Sequence, residues 1–312
     1  MDRRPSRGKK FCIGLVGLTT LLVSPLMADG AGYAVPSSAA RPLSTHISIR
    51  PSDVAITAQG NQTTVGVGLL VPQGVAVDSK GTVYISDTGH DRVVKVPAGG
   101  GAQTVVNVGA TGPSSLGIGP GELAVDRFNN LYVAEPGQAR VAKVSPSGVT
   151  TSIGKGLGLS SPSGVAADRA GNIYIADGSL KQVVKIPASG GKPVGVGAHL
   201  FGPAIVAVDS KGTVYILDGA ARVVKVPANG GAQSIVSAGI DPSSVTVDAK
   251  DNIYISDATN NRVEKLPATG GPATAVGVGL INPRAMAVDS AGNVYITETN
   301  KNRVIKVAAS RR

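Results

Sequence analysis

The chain repeats a pattern of short apolar runs separated by turn residues. In the first copy, residues 74–77, 82–86, 92–96 and 103–108 are rich in β-branched and other apolar residues, and Gly, Pro, Asp or Asn bounds each run. Runs of this length with such punctuation are typical of antiparallel strands joined by tight turns. The pattern therefore predicts four short strands in each copy.

An aspartate that follows the first strand marks every copy. Successive aspartates are 48, 42, 41, 39 and 41 residues apart. They are Asp78, Asp126, Asp168, Asp209, Asp248 and Asp289. A period near forty residues indicates one supersecondary unit per repeat, stacked against its neighbours. Since the repeated residues form the scaffold, function is expected where the copies differ.

Each copy contains two turns whose residues indicate a structural role. Asp78 can bond its own backbone, and the position three residues later holds only Gly, Asn or Asp in the six copies, which accept a positive φ most easily. Calcium binding is disfavoured because no second oxygen ligand recurs beside these aspartates. The second turn carries Asp87 and, five residues later, Arg92, which predicts a bidentate clasp across the hairpin. A recurring lysine, Lys95 in the first copy, is expected to cover the edge of its unit with its stem.

The two ends of the repeat region complement each other. The sixth copy ends soon after residues 303–306 and lacks a fourth strand, whereas residues 63–72 (TTVGVGLLVP) match residues 274–283 (TAVGVGLINP), the fourth strand that leads into that copy. A ring completed by the N-terminal strand exposes no sheet edge at the seam. The sequence thus predicts an all-β fold over residues 62–312: a six-bladed β-propeller of four-stranded antiparallel blades, closed by an N-terminal strand.

The first 61 residues have a different composition. A basic stretch (RRPSRGKK) precedes an apolar run from Phe11 to Met27, which is typical of a secretory signal. Residues 1–34 are therefore assigned to a signal peptide, with an uncleaved membrane anchor as the alternative, and residues 35–61 to a disordered spacer. The single cysteine, Cys12, lies in the apolar run, so the mature chain is expected to lack disulfides. These features predict a secreted or cell-envelope-associated protein.

The charge and the aromatic content bear on the partner. The formal net charge is +10, and the chain contains no Trp, three Phe and seven Tyr. The positive charge suits an anionic cell-envelope polymer, whereas export, scarce aromatics and dispersed lysines argue against nucleic acid. A protein ligand is the other expected partner. The chain is expected to be a monomer that meets a membrane only through an uncleaved N-terminal segment.

The repeated motif resembles the NHL repeat, PxGVAVDxxGxVYVxDxxNxRVxK, across about residues 62–308. Residues 257–263 (DATNNRV) and 299–304 (TNKNRV) are especially close to it. The Gly-Leu-x-x-Pro lead into the blades is also similar to the extracellular sensor domain of actinobacterial receptor-type serine/threonine kinases. The resemblance implies a β-propeller and leaves function open, because NHL propellers include protein-binding sensors, RNA-binding domains and metal-dependent lyases.

The candidate ligand-binding residues lie on the face formed by the connections into the first strands and between the second and third strands. The connection before Pro203 carries an unusual His-Leu-Phe sequence, and three polar residues are expected around the mouth of the central channel. The candidates are Gln73, His90, Glu122, Lys181, His199, Leu200, Phe201 and Arg284. No catalytic residue, metal ligand or cofactor is assigned.

Two functions follow from these observations. The first is an exported, non-catalytic recognition module for a protein or cell-envelope ligand. The second, implied by the family resemblance, is a metal-dependent lyase with histidines at the channel. After the apolar run the chain has only His46, His90 and His199, in three separate segments, and a catalytic zinc site needs three converging protein ligands. The sequence therefore favours the recognition module over an enzyme.

Overall fold

A computed structural model describes residues 62–109, 119–219, 222–236 and 240–309. The expected signal peptide and spacer, and most of the long connection before Pro120, lie outside these ranges. Within them, no helix is long and apolar enough to cross a membrane.

Six four-stranded antiparallel sheets make up the described chain, which confirms the predicted blades. The first strands of blades one to six are β2 (Pro72–Val77), β6 (Leu123–Val125), β10 (Pro162–Ala167), β14 (Pro203–Val208), β18 (Pro242–Val247) and β22 (Pro283–Val288). The second strands are β3 (Val83–Asp87), β7 (Leu131–Glu135), β11 (Ile173–Asp177), β15 (Val214–Asp218), β19 (Ile253–Asp257) and β23 (Val294–Glu298). The third strands are β4 (Arg92–Val96), β8 (Arg140–Val144), β12 (Gln182–Ile186), β16 (Arg222–Val226), β20 (Arg262–Leu266) and β24 (Arg303–Val307). The fourth strands are β5 (Thr104–Val106), β9 (Thr150–Ile153), β13 (Val194–Val196), β17 (Ser234–Ile235), β21 (Thr274–Ala275) and, for blade six, β1 (Gln62–Val65).

The hydrophobic core lies between the blades. Six apolar clusters each join two neighbouring blades, and one of them brings Ala285 and Tyr295 of blade six against Val75 and Ile85 of blade one. The second strand of each blade is almost fully buried because it packs against both neighbours. Successive side chains of a strand point to opposite faces of the sheet. A strand that is covered on both faces therefore needs apolar residues at nearly every position.

The first turn of each blade has the predicted construction. Asp78 Oδ1 accepts hydrogen bonds from the backbone N–H groups of Lys80 (2.9 Å) and Thr82 (2.8 Å), and Gly81 has a φ of +80°. The equivalent Asn129 and Asp251 also have positive φ, at +60° and +63°. These side chains and backbone angles fix the hairpin locally.

A buried tyrosine connects this turn to the third strand. The Tyr174 hydroxyl donates to Asp168 Oδ2 at 3.1 Å, and the Lys185 ammonium lies 5.4 Å from the centre of the tyrosine ring. Burial, followed by the charge and the hydrogen bond of Asp168, raises the pKa of Tyr174, so the hydroxyl remains a donor. The same lysine–tyrosine stacking occurs in four other blades at 5.3–5.9 Å. The repeated lysines therefore hold a cation–π contact in addition to any covering role.

The N-terminal strand lies in the sixth blade. β1 pairs antiparallel with β24, with Gln62 opposite Val307 and Val65 opposite Val304. The Gln62 side chain accepts from Val278 N and donates to Val278 O, both at 3.0 Å. Gln103 of blade one and Gln233 of blade four hold their own incoming connections in the same way. Gln62 thus occupies the place in blade six that these residues occupy in their blades.

Candidate functional site

The propeller has two faces with different connections. We call the loop face the one formed by the connections into the first strands and between the second and third strands, and the turn face the opposite one. The register places Pro72 opposite Asp87, so the start of a first strand and the end of a second strand share one face. All eight candidate residues lie in connections or strands at this loop face or along the channel behind it.

A buried acid anchors the incoming connection at the loop face in blades one, three, four and six. Asp87, which is 0% exposed, accepts from Arg92 Nε at 2.6 Å and from the backbone N–H of Leu70 at 2.6 Å. The arginine also donates to the Gly68 carbonyl at 3.2 Å. The predicted pairing of acid and arginine is confirmed, but it is not bidentate: Arg92 donates to the acid through Nε, and its other donor anchors the incoming connection. Sequence spacing could not show this second contact because the connection lies at least 17 residues away.

In other blades the acid anchors the incoming connection with a different set of donors. Asp218 accepts from the N–H groups of Phe201 (2.9 Å) and Gly202 (2.8 Å) and from Arg222. Burial opposes the effect, but these hydrogen bonds and the arginine charge hold the pKa of Asp218 below its ordinary value. In blade three Gln182 replaces the arginine, and Asp177 is satisfied by three backbone N–H groups instead.

The anchored connection displays one side chain outward. The residue whose N–H binds the acid is apolar in three blades, and its side chain projects from the loop face: Phe201 is 61% exposed, Ile281 40% and Leu70 38%. The Arg222 guanidinium lies 4.8 Å from the centre of the Phe201 ring, so the aromatic side chain is supported on one side while the other meets solvent. Leu180, in the neighbouring blade three, is 39% exposed on the same face.

The other residues of the fourth connection have different positions. His199 is exposed with a φ of +52°, and its carbonyl accepts from Arg222. Leu200 is only 8% exposed because it packs with Val206 and Ile216 between blades three and four. The expectation that Leu200 contacts a ligand is therefore corrected: its side chain belongs to the core.

His90 and Lys181 lie in the second turns of blades one and three. His90 Nδ1 is 2.9 Å from Asp87 Oδ2, so this ring is part of the blade-one clasp. Lys181 is exposed with a φ of +53°. The structure does not bring the two side chains to one point, since they belong to non-neighbouring blades.

The central channel is lined almost entirely by apolar side chains. Its volume is about 180 Å³, and valine and alanine from the first strands form most of its wall. Glu122 is its one charged lining residue, and Thr246 adds a hydroxyl. Gln73 and Arg284 directly follow the proline that opens their strands, one position before the place that Glu122 holds in blade two, and both are exposed.

Glu122 has an unusual environment for a carboxyl group. No side chain of the described residues donates a hydrogen bond to it, and burial raises its pKa from 4.5 to about 8. A large fraction of the side chains is therefore protonated at neutral pH, and the group can donate as well as accept a hydrogen bond. Sequence reasoning placed Glu122 at the mouth but could not supply its desolvation, which depends on strands from other blades.

The described residues contain no group of three or more His, Cys, Asp or Glu side chains that could hold a metal ion. The arrangement can bind an apolar group on the loop face and a hydrogen-bonding group in the channel.

Comparison with known proteins agrees with this architecture. Residues 69–96 match the family model of the NHL repeat. This match covers blade one, the solved propellers described next share the fold, and the kinase sensor-domain resemblance has no counterpart among them. A sequence search of curated proteins found no match.

Several solved propellers superpose on the chain at low identity. A gluconolactonase from Xanthomonas campestris is 18% identical with a TM-score of 0.64, covering 90% of this chain and 98% of its own. A virginiamycin B lyase from Staphylococcus aureus, solved with quinupristin, is 15% identical with a TM-score of 0.59, covering 81% and 86%. A structure from the nidogen/laminin complex is 20% identical with a TM-score of 0.57, covering 66% and 79%. Enzymes and a protein-binding complex share the fold, so the fold alone does not decide between the two functions.

Proposed function

We propose that the chain is an exported, non-catalytic NHL-repeat propeller that recognises a protein or cell-envelope ligand through its loop face. The observation that supports this most directly is Phe201. Its backbone is fixed by a buried acid, its ring is backed by Arg222, and 61% of it is exposed. A rigid aromatic side chain that protrudes from a polar surface is the usual energetic centre of a protein interface.

The other exposed apolar residues of the loop face extend this surface. Leu70 and Ile281 occupy the same displayed position in blades one and six, which are neighbours in the ring. Holding the backbone by a buried acid lowers the entropy lost on binding, because the displayed residue is already ordered. The likeness to kinase sensor domains, the secretory pattern of residues 1–34 and the nidogen/laminin neighbour are all in keeping with extracellular protein recognition.

A pair of matched phenylalanines tests the proposal. Phe201→Ala removes the loop-face aromatic, and Phe128→Ala removes an aromatic of similar exposure (59%), also stacked under an arginine, on the turn face. Wild type and both variants are immobilised and presented with envelope and culture-medium proteins, and bound proteins are quantified by mass spectrometry. We expect the Phe128 variant to retain the wild-type partner and the Phe201 variant to lose it at least tenfold, with similar melting temperatures. Equal retention by both variants would contradict loop-face recognition.

A metal-dependent lyase is the second candidate because lyase and lactonase structures share the fold. Elemental analysis of protein purified without chelators distinguishes the two functions. We expect less than about 0.1 equivalent of any transition metal per chain, because a catalytic zinc needs three converging ligands. One tightly held metal ion per chain would favour the lyase.

A further inference from the structure

The turn face carries exposed cations at equivalent positions around the ring. In five of the six blades the first turn contains a basic residue at its second or third position, and blade six has Ala291 there. These residues, called the turn cations below, are Lys80, Arg127, Arg169, Lys211 and Lys250, and all five are exposed.

Nearby carboxylates do not neutralise the turn cations. Each blade has one turn aspartate and one third-strand lysine, so the charges of these two sets are equal in number. In blade five, Lys265 Nζ lies 4.0 Å from Asp248 Oδ2. Among the residues that the structure describes, none of the turn cations forms a salt bridge. The connections between third and fourth strands contribute no carboxylate to this face and add one lysine, Lys192.

Two of the turn cations, Arg169 and Lys211, lie near one carboxylate, Asp251. Arg169 of blade three donates to the Ala249 carbonyl of blade five at 3.1 Å, so the turns approach each other around the channel. Asp251, the one acid in these turns beyond the repeated aspartates, accepts from Ser210 N and Oγ. Burial opposes the effect, but these hydrogen bonds and the charges of Lys211 and Arg169 lower the pKa of Asp251. Arg169 and Lys211 thus share one carboxylate that already accepts two hydrogen bonds, and an excess of positive charge remains on this face.

We propose that the turn face binds a linear phosphate polymer through the turn cations. Phosphates repeated along a polymer can contact cations repeated around the ring, and the guanidinium groups of Arg127 and Arg169 can each bind a phosphate with two donors. Among the described residues of this face, the one exposed aromatic is Phe128, which is covered on one side by Arg127 at 4.5 Å. Single-stranded nucleic acid needs several open aromatic faces for its bases to stack on, so it fits this surface less well. This site is on the face opposite the loop-face site and does not depend on the proposed function.

The test uses the full chain with fluorescently labelled inorganic polyphosphate, and anisotropy gives the affinity at several salt concentrations. Lys211→Ala/Lys250→Ala removes two turn cations. The matched control, Lys155→Ala/Lys301→Ala, removes two exposed lysines of the loop face and changes the net charge equally. We expect the turn-face variant to bind about tenfold more weakly and to lose roughly 1.4 from the slope of log affinity against log salt, at about 0.7 per contact. The control should remain within twofold of wild type.

Four outcomes would overturn the proposal. Equal weakening of both variants would mean that only net charge attracts the polymer. Polyglutamate of equal charge binding as tightly as polyphosphate would remove the phosphate assignment, and tighter binding of single-stranded DNA would favour nucleic acid. Absence of polyphosphate binding by wild type at low salt would remove the site altogether.

Discussion

At the scale of single residues, environment decides what a side chain does. Phe201 and Leu200 are neighbours in an unusual connection, yet one is 61% exposed and the other 8%. The buried acid Asp218 fixes the Phe201 backbone, and the next blade covers Leu200. Residue type alone would have assigned both to the same surface.

Glu122 should make stability fall as pH rises. Below about pH 4.5 the carboxyl is protonated in both the folded and unfolded chain. Between 4.5 and about 8 the unfolded chain ionises while the folded chain resists, so the free energy of unfolding declines over this range. Glu122→Gln removes the ionisation, and we expect the free energy of unfolding of the variant to exceed that of wild type by roughly 1–3 kcal/mol at pH 8. This range is smaller than the full pKa difference implies, because water in the channel screens the carboxylate.

Urea unfolding of wild type and Glu122→Gln at pH 5 and pH 8 measures this effect. Because the variant lacks the group, the difference between the two proteins should be larger at pH 8. A difference of the same size at both pH values would show that Glu122 ionises normally in the folded chain.

At the scale of the strand, one blade departs from the repeat in a way that changes the energetics. Glu264 of β20 is 1% exposed and lies where the other third strands have Val94, Ala142, Val184, Val224 or Ile305. Its Oε1 is 2.9 Å from Arg262 Nη1, but neither oxygen accepts a hydrogen bond from the described residues. Burial raises the pKa of Glu264, and the charge of Arg262 opposes that rise. Arg262 therefore serves two buried acids, Glu264 and the clasp acid Asp257.

Arg262→Ala should accordingly cost more than an ordinary clasp contact. A single charge-assisted hydrogen bond suggests about 1.5–3 kcal/mol, whereas removing one partner of a buried ion pair typically costs about 3–5 kcal/mol. We expect a loss near 3 kcal/mol in chemical denaturation. Glu264→Val, which restores the apolar residue of the other blades, should be neutral or stabilising.

The double variant Arg262→Ala/Glu264→Val separates the two contributions. It should recover at least 1 kcal/mol relative to Arg262→Ala, because no acid at position 264 is left without its cation. Additive effects of the two substitutions would show that Glu264 does not depend on the arginine.

At the scale of the whole molecule, the sixth blade combines the two ends of the repeat region. The pairing of β1 with β24 and the Gln62 contacts to Val278 occur between segments more than 200 residues apart. Such a pairing restricts opening of the ring, because separating blades one and six would expose an edge of β24 as well as an apolar cluster.

Deletion of residues 35–61 should therefore leave the melting temperature unchanged, whereas deletion of residues 35–71 should lower it. A loss of about 3 kcal/mol would correspond to a decrease of roughly 6–12 °C for a domain of this size. Thermal unfolding followed by circular dichroism compares the two truncations. Equal midpoints would show that the N-terminal strand does not stabilise the ring.

The sequence by itself determined the features that depend on local chemistry. The turn aspartates, the positive-φ position three residues later and the acid–arginine clasp are all readable from short spacings, because each partner lies within six residues of the other. The forty-residue period then determined the number of blades, since a repeated unit with exposed apolar faces must stack on its copies.

Only the tertiary structure decided which surfaces are available for binding. The desolvation of Glu122, the burial of Leu200 and the approach of the turn cations arise from contacts between different blades. The display of Phe201 arises from contacts with Asp218 and Arg222, which lie further along the chain in the same blade. Those contacts depend on how the ring brings together residues that are 17 to 80 positions apart, which no local spacing in the chain encodes.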